Sequence, residues 1–240
     1  RDAAAALEAF LDANHESVAA LIVEPLVQGA SGMVTYDASY LARARELCTH
    51  YGVHLLADEI MTGFGRTGTM FACEQAGIAP DLMLLSKGIT GGFLPLACVL
   101  ASDAIYDAFY DDDAARGFLH SHSYTGNPLA CSAALAVLDI FRSDAVIEAN
   151  RSRAARWDSL AAPLAAHPKV RDFRRCGMIV AFEVGSGRAD FARWCFAEGI
   201  ARGILLRPIG RTVYLMPPYV IADDEFALLV DRTCEIVELV

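Results

Sequence analysis

No run of Lys or Arg stands out along the 240 residues, and the formal net charge is −10. Such a chain lacks the electrostatic footprint of a protein that binds nucleic acid or an acidic membrane surface. No stretch of about 18 consecutive apolar residues occurs, so no membrane-spanning helix is predicted. The N-terminus is not a signal peptide, and a cytoplasmic protein is expected. C-x-x-C pairs are absent too. The cysteines at 48, 73, 98, 131, 176, 195 and 234 are scattered and odd in number. They read as reduced, mostly buried thiols, with no zinc or other metal site. There is no internal repeat and no low-complexity segment.

What is present is a large apolar share. With 55% hydrophobic and 21% charged residues the chain can build a substantial core, as one large domain or a large plus a small one. Its opening, "RDAAAALEAFLDANHESVAALIVEP", runs from a helix straight into a strand, as if cut from inside a longer protein. Apolar runs at 19–26, 53–60 and 80–87 read as strands buried on both faces, and 95–101 as a fourth. The helix "ASYLARARELCTHYG" ends in Gly52. Strand, helix and strand in this order predict an α/β fold with a parallel-rich sheet and right-handed crossovers. Residues 111–128 read as a loop, and "PLACSAALAVLDIFRS" as an apolar helix. Beyond about Ser143 the character changes. A polar helix with Arg151, Arg153 and Arg156 is followed by strand 178–184, a helix, strands "ILLRPI" and "VYLMPP", and a helix from about Asp223. Two domains are therefore expected: residues 1–143, and a smaller α+β unit over 144–240.

The stretch "LLADEIMTGFGRTG" (55–68) invites two phosphate-enzyme readings. Gly63, Gly65 and Gly68 spell G-x-G-x-x-G. A dinucleotide site needs the first glycine directly after the strand and the last opening a helix. Here Asp58 to Thr62 intervene, and the sequence after Gly68 is too short and broken for a crossover helix. The apolar strand ending in Asp-Glu also resembles the magnesium strand of an ATPase. That reading needs G-x-x-x-x-G-K-[ST], which this chain does not contain.

A third reading joins Asp58 to Lys87. Each closes an apolar strand at its C-terminal end, the edge where ligands bind in a parallel sheet. A lysine there can instead snorkel into solvent. The pair, however, suits pyridoxal 5'-phosphate. The aldehyde of that cofactor needs a lysine made nucleophilic by desolvation, and its ring nitrogen needs a carboxylate to stay protonated.

The segments "LIVEPLVQGASGM", "LLADEIMTGFGRTG", "PDLMLLSKGITGG" and "TGNPLACSAALAVL" resemble the class III aminotransferases, a fold-type I pyridoxal phosphate family. The resemblance runs from about residue 18 to the C-terminus. It implies a three-layer, parallel-rich large domain, present in part, plus a small C-terminal α+β domain, in a homodimer with shared active sites. "GILLRPIGRTVYLMPPYVI" is similar to the branch of the family that serves biotin synthesis. That branch passes an amino group from S-adenosylmethionine to 8-amino-7-oxononanoate.

Carried over residue by residue, the resemblance makes Lys87 the cofactor-bearing and proton-shuttling lysine. Asp58 becomes the partner of the pyridine nitrogen, and Ile60 the side chain packed against the ring, where ordinary core is the alternative. "SHSYTGNP" matches the loop that reaches the cofactor phosphate across the dimer interface. Ser123 stands where relatives have Thr, and His122 precedes it with a backbone N–H to offer. Ser121 and His122 replace the Gly and Pro that relatives often carry. Arg207 matches the arginine for the long keto-acid's carboxylate, with a surface salt bridge as the alternative. Ser121, Lys87, Arg207 and Tyr214 are thus expected on the substrate side.

Two departures from the broader class are informative. Met61 stands where many relatives have Gln, and Tyr214 stands where users of 2-oxoglutarate have an Arg that pairs with the Glu of "VEP", here Glu24. Both agree with a donor other than glutamate. "HSYTGN" in place of the commoner "PTFMGN" keeps lysine open as the donor. A non-enzymatic domain that retains the fold is the rival from another class. The resemblance also implies a preceding segment with further cofactor and substrate residues, so this stretch alone is expected to be inactive. The role of Arg66 stays open: tying down its loop, or reaching an interface.

Overall fold

The computed structural model describes residues 2–240. In chain order its elements are α1 (Ala3–Asn14), β1 (Ala20–Val23), β2 (Val27–Gln28), β3 (Val34–Thr35), α2 (Ala38–Tyr51), β4 (His54–Asp58), β5 (Leu82–Leu85) and β6 (Cys98–Ala101). They continue with α3 (Asp103–Asp107), α4 (Pro128–Ser143), α5 (Val146–Leu160), α6 (Ala162–Ala165), β7 (Val170–Cys176), β8 (Ile179–Val184), α7 (Phe191–Ala201), β9 (Thr212–Leu215) and α8 (Asp223–Glu238). The chain divides into two compact units. One comprises the chain through Leu26, Tyr36–Phe64 and Thr69–Val146; the other comprises Val27–Thr35, Gly65–Gly68 and Ile147–Val240. Two short excursions of the N-terminal half therefore group with the C-terminal unit.

In the first unit the sheet order is β1-β4-β5-β6, with β1, β4 and β5 parallel and β6 antiparallel. Paired residues in a ladder point to the same face. Leu21, Val23, Leu55 and Ala57 pack with Leu11, Leu41, Leu47 and Cys48 of the helices, while Met83, Leu85 and Cys98 pack with Phe64 and Ala134. The opposite face carries Ile22, Leu56, Asp58, Leu84 and Val99. Ile22 and Val99 are each 57% exposed. The strands expected to be buried on both faces are thus covered on one among the described residues, and Asp58 lies on the open one. Local signals fix the helices. Asp37 caps α2 by accepting from Ser39 N–H, and Gly52 ends it with a φ of 69°. Asn127 caps α4, with Pro128 in its first turn. Asp81 joins β4 to the start of β5. Burial works against its charge, but the Leu55 N–H (2.6 Å) and the Arg45 guanidinium (2.7 Å) hold its carboxyl below the ordinary carboxylate value.

The second unit has an antiparallel sheet, β7-β8-β9. Val180, Phe182, Val213 and Leu215 pack against Trp157, Phe226 and Val230 of the helices. Trp157 and Phe226 stack with centroids 3.8 Å apart. "ILLRPI", expected as a strand, forms no ladder. Only the bridge Ile209–Thr212 occurs there, and Pro208 has no N–H to donate. The strand β7 escaped the sequence reading because "VRDFRRC" looks polar. Arg174 is nonetheless nearly buried. Its guanidinium donates to Gly32 O (2.5 Å), Met33 O (2.8 Å) and Glu183 (3.1 Å), which pins the β2–β3 loop beside β7.

Candidate active site

β4 ends where Asp58 turns its own side chain on the backbone. Oδ1 accepts the Ile60 N–H at 3.1 Å, so pairing stops and a turn begins. Ile60 accordingly lies in the turn rather than at the end of the expected 53–60 strand. Asp58 is half-buried, and among the described residues its carboxylate meets no cation. Its ladder partner is Leu84 of β5. Three residues beyond, Lys87 opens a short 3-10 turn, Lys87–Thr90. Ser86 before it is extended, and its hydroxyl donates to Leu96 O (2.8 Å). Lys87 itself has a φ of 46°, a left-handed setting that a non-glycine residue adopts at a cost and that clusters at functional positions. Its side chain is exposed, and Nζ has no hydrogen-bond or ion-pair partner among the described residues. Asp58 and Lys87 therefore sit at the C-terminal edge of neighbouring parallel strands, where ligands bind.

Gly88 must lack a side chain, since a Cβ there would come within 2.9 Å of Phe64. Phe64 is buried, with a φ of 56°. α4 packs on this same turn, its Val137 nearest to Gly91. Before α4, residues 121–126 are exposed. The His122 N–H already donates to Thr125 Oγ1 (3.0 Å), and the His122 ring accepts from Tyr124 N–H (3.1 Å). The backbone donor expected from His122 is thus engaged within its own turn, while Ser121 and Ser123 are exposed.

In the second unit Arg207 is exposed and has no hydrogen-bond or ion-pair partner among the described residues, so the salt-bridge alternative finds no acid. Tyr214 on β9 is half-buried and pairs with Ala181, on the sheet face that also carries Thr212 and Glu183. The Thr212 hydroxyl donates to Glu183 (2.5 Å). Arg66 ties its loop within this unit. It donates to Pro217 O (2.8 Å) and lies 4.4 Å from the Tyr219 ring centroid. Burial pushes its guanidinium down from its ordinary value, and Tyr219 opposes that shift. The same loop is held by Met178 N–H on Arg66 O (2.9 Å) and Arg151 on Gly68 O (2.6 Å). Gly177 lies so close that a Cβ would come within 2.4 Å of Arg66 O. Glu59 was passed over in reading the sequence, although period-two alternation sends it to the apolar face, opposite Asp58. It is fully buried.

Among the described residues no cluster of three or more His, Cys, Asp or Glu side chains is placed to hold a metal, and no helix is long and apolar enough to cross a membrane. No disulfide forms among the described cysteines.

A family model described as aminotransferase class-III matches residues 1–237. The chain belongs to the class III aminotransferases. It is 44% identical over 239 residues to the adenosylmethionine-8-amino-7-oxononanoate aminotransferase of Helicobacter pylori, covering 97% of this chain and 55% of that protein. Against the protein of the same description from Nitratidesulfovibrio vulgaris it is 45% identical over 227 residues, 90% and 42% of the two chains. The crystal structure of the Methanocaldococcus jannaschii protein of that description superposes with a TM-score of 0.93 at 33% identity, covering 100% of this chain and 58% of that one. An ω-transaminase of Pseudomonas jessenii, solved in complex with PMP, gives a TM-score of 0.90 at 28% identity over 98% of this chain and 54% of that one. The class III chain thus spans about half the length of the curated relatives it matches. Its fold is that of these transaminases, with helices and a mixed parallel and antiparallel sheet, and the family is pyridoxal phosphate-dependent.

Proposed function

We propose that the full-length protein carrying this chain is a pyridoxal phosphate-dependent aminotransferase of biotin synthesis. It transfers an amino group from S-adenosylmethionine to 8-amino-7-oxononanoate and forms 7,8-diaminononanoate. The observation that carries this reading is a half-buried carboxylate with no cation partner among the described residues, beside the strand that leads into a lysine in a left-handed backbone setting. That donor set fits the cofactor. An acid without a cation suits a protonated ring nitrogen, and an unpaired amine suits covalent attachment. The relatives described for this reaction support the choice of substrates.

The bound cofactor supplies an electron sink for the carbon that carries the amino group. Asp58 holds the proton on the ring nitrogen through its carboxylate. Lys87 Nζ takes the proton from the donor's amino-bearing carbon and delivers it in the transfer. Ile60 packs beside the ring, and the 121–123 segment serves the cofactor phosphate of the partner subunit in a homodimer through the Ser123 hydroxyl. Arg207 receives the keto-acid carboxylate with its two-pronged guanidinium. Ser121 and Tyr214 line the substrate side, and a tyrosine at that position provides no cation for an α-carboxylate such as that of 2-oxoglutarate. In this reading the first unit is part of a three-layer large domain, the second is the small C-terminal domain, and the enzyme is cytoplasmic.

The deciding assay offers the full-length protein S-adenosylmethionine or lysine as donor, with 8-amino-7-oxononanoate as acceptor. Turnover is expected with S-adenosylmethionine only, and turnover with lysine alone would overturn the assigned donor. Arg207→Ala is expected to raise KM for the acceptor about 10- to 100-fold with kcat little changed, matching one charge-assisted interaction of about 1.5–3 kcal/mol. An unchanged KM would remove Arg207 from the site.

A further inference from the structure

Glu59 has no part in the reading above, yet among the described residues it is the one acidic or basic side chain in the fully buried class. Burying a carboxyl is costly unless its oxygens are satisfied, and an apolar side chain would serve packing alone as well or better. Here both oxygens are used. Oε1 accepts the Cys73 N–H at 2.8 Å and Oε2 the Thr62 hydroxyl at 2.5 Å. The Cys73 thiol is raised first by burial and then by this same carboxyl, to which it is hydrogen-bonded, so it stays protonated. The Glu59 backbone completes the arrangement. Its N–H donates to Leu84 O (3.0 Å), on the strand that leads into Lys87, and its carbonyl accepts from Gly63 N–H (2.9 Å) to close the turn.

The far end of that turn is Phe64. Its ring packs edge-on against Phe71, centroids 5.8 Å apart, and its Cβ and ring edge stand 2.9 Å from where a Cβ of Gly88 would be. Gly88 follows Lys87 directly. A contiguous path of packed groups thus runs from the buried acid, through residues 59–64, to the backbone that presents the lysine.

We propose that Glu59 is a positioning residue for the Asp58–Lys87 pair: by locking the 59–64 turn from the buried face it sets Phe64 against Gly88 and holds Lys87 in its left-handed backbone setting. This rests on the assignment of Asp58 and Lys87 to the cofactor.

The test uses the full-length protein loaded with pyridoxal phosphate. Glu59→Met keeps side-chain length and removes both acceptors. Glu59→Gln keeps an oxygen for the Cys73 N–H and offers an amide that the Thr62 hydroxyl can accept. Glu59→Met is expected to lower kcat about 10- to 100-fold, with KM for both substrates within about threefold. It is also expected to move the pH midpoint of the visible band of the bound cofactor by about half a unit or more. Thr62→Val should shift both in the same direction by less, and Glu59→Gln should restore both. An unsubstituted protein with no such band overturns the proposed function and this inference together. A normal band with midpoint and kcat untouched by Glu59→Met overturns the role of Glu59 alone, as does a loss of activity no larger than the loss of folded protein. Should Glu59→Met not fold, an unmoved midpoint in Thr62→Val decides against the proposal.

Discussion

Replacing Lys87 with alanine in the full-length protein is expected to abolish amino transfer, with a loss of about 10⁴-fold or more in kcat. A positioned general base contributes on the order of 10² to 10⁴, and this side chain is also read as the point of covalent attachment. Lys87→Arg should fail similarly, because a guanidinium stays protonated and cannot take a proton. A second measurement separates Lys87 from Lys169, the two lysines of this chain. After borohydride treatment of the cofactor-loaded protein, the mass of the cofactor should appear on the peptide with Lys87 and not on the one with Lys169. Full turnover in Lys87→Ala would refute the assignment, and label confined to Lys169 would do the same.

Asp58→Asn is the substitution with the next largest expected effect. Asparagine keeps an oxygen for the Ile60 N–H, so the turn at the end of β4 is retained and only the charge is lost. The expected result is a fall in kcat of about 10²- to 10³-fold, the range for removing one preorganised electrostatic partner of a charge that the reaction depends on. The melting temperature should change little, because Asp58 has no cation partner among the described residues. Asp58→Glu should retain more activity than Asp58→Asn, since it keeps the charge at the wrong reach. Unimpaired turnover in Asp58→Asn would separate the acid from the chemistry.

Helix limits were the most legible feature of the sequence. The Asp37 cap and the left-handed Gly52 of α2, and the Asn127–Pro128 start of α4, are local chemistry and need no distant partner. Strands were less legible, for two different reasons. Residues 204–209 alternate as a strand should, with Ile204 and Leu206 buried and Leu205 65% exposed, yet form no ladder. Alternation reports which side faces the core and not whether a neighbour is there to bond. β7 failed in the opposite sense. Its arginines show no apolar alternation, whereas Arg174 is satisfied by carbonyls more than 140 residues away in sequence. The left-handed Asp172 and the register shift between Arg171 and Arg174 break the period further.

The candidate site divides along the same line. From the sequence alone came Asp58 and Lys87 at the tips of apolar strands, the phosphate-loop match at 121–123, and Arg207 and Tyr214 in the last motif, because residue order and spacing carry strand ends and family patterns. Only the folded chain decided that Ile60 leaves the strand, that the His122 N–H is engaged within its own turn, that Arg207 has no acid beside it among the described residues, and that Glu59 is fully buried with both carboxylate oxygens hydrogen-bonded. Each of these depends on which donors and acceptors meet after folding, and residues far apart in a sequence leave no periodic trace of that meeting.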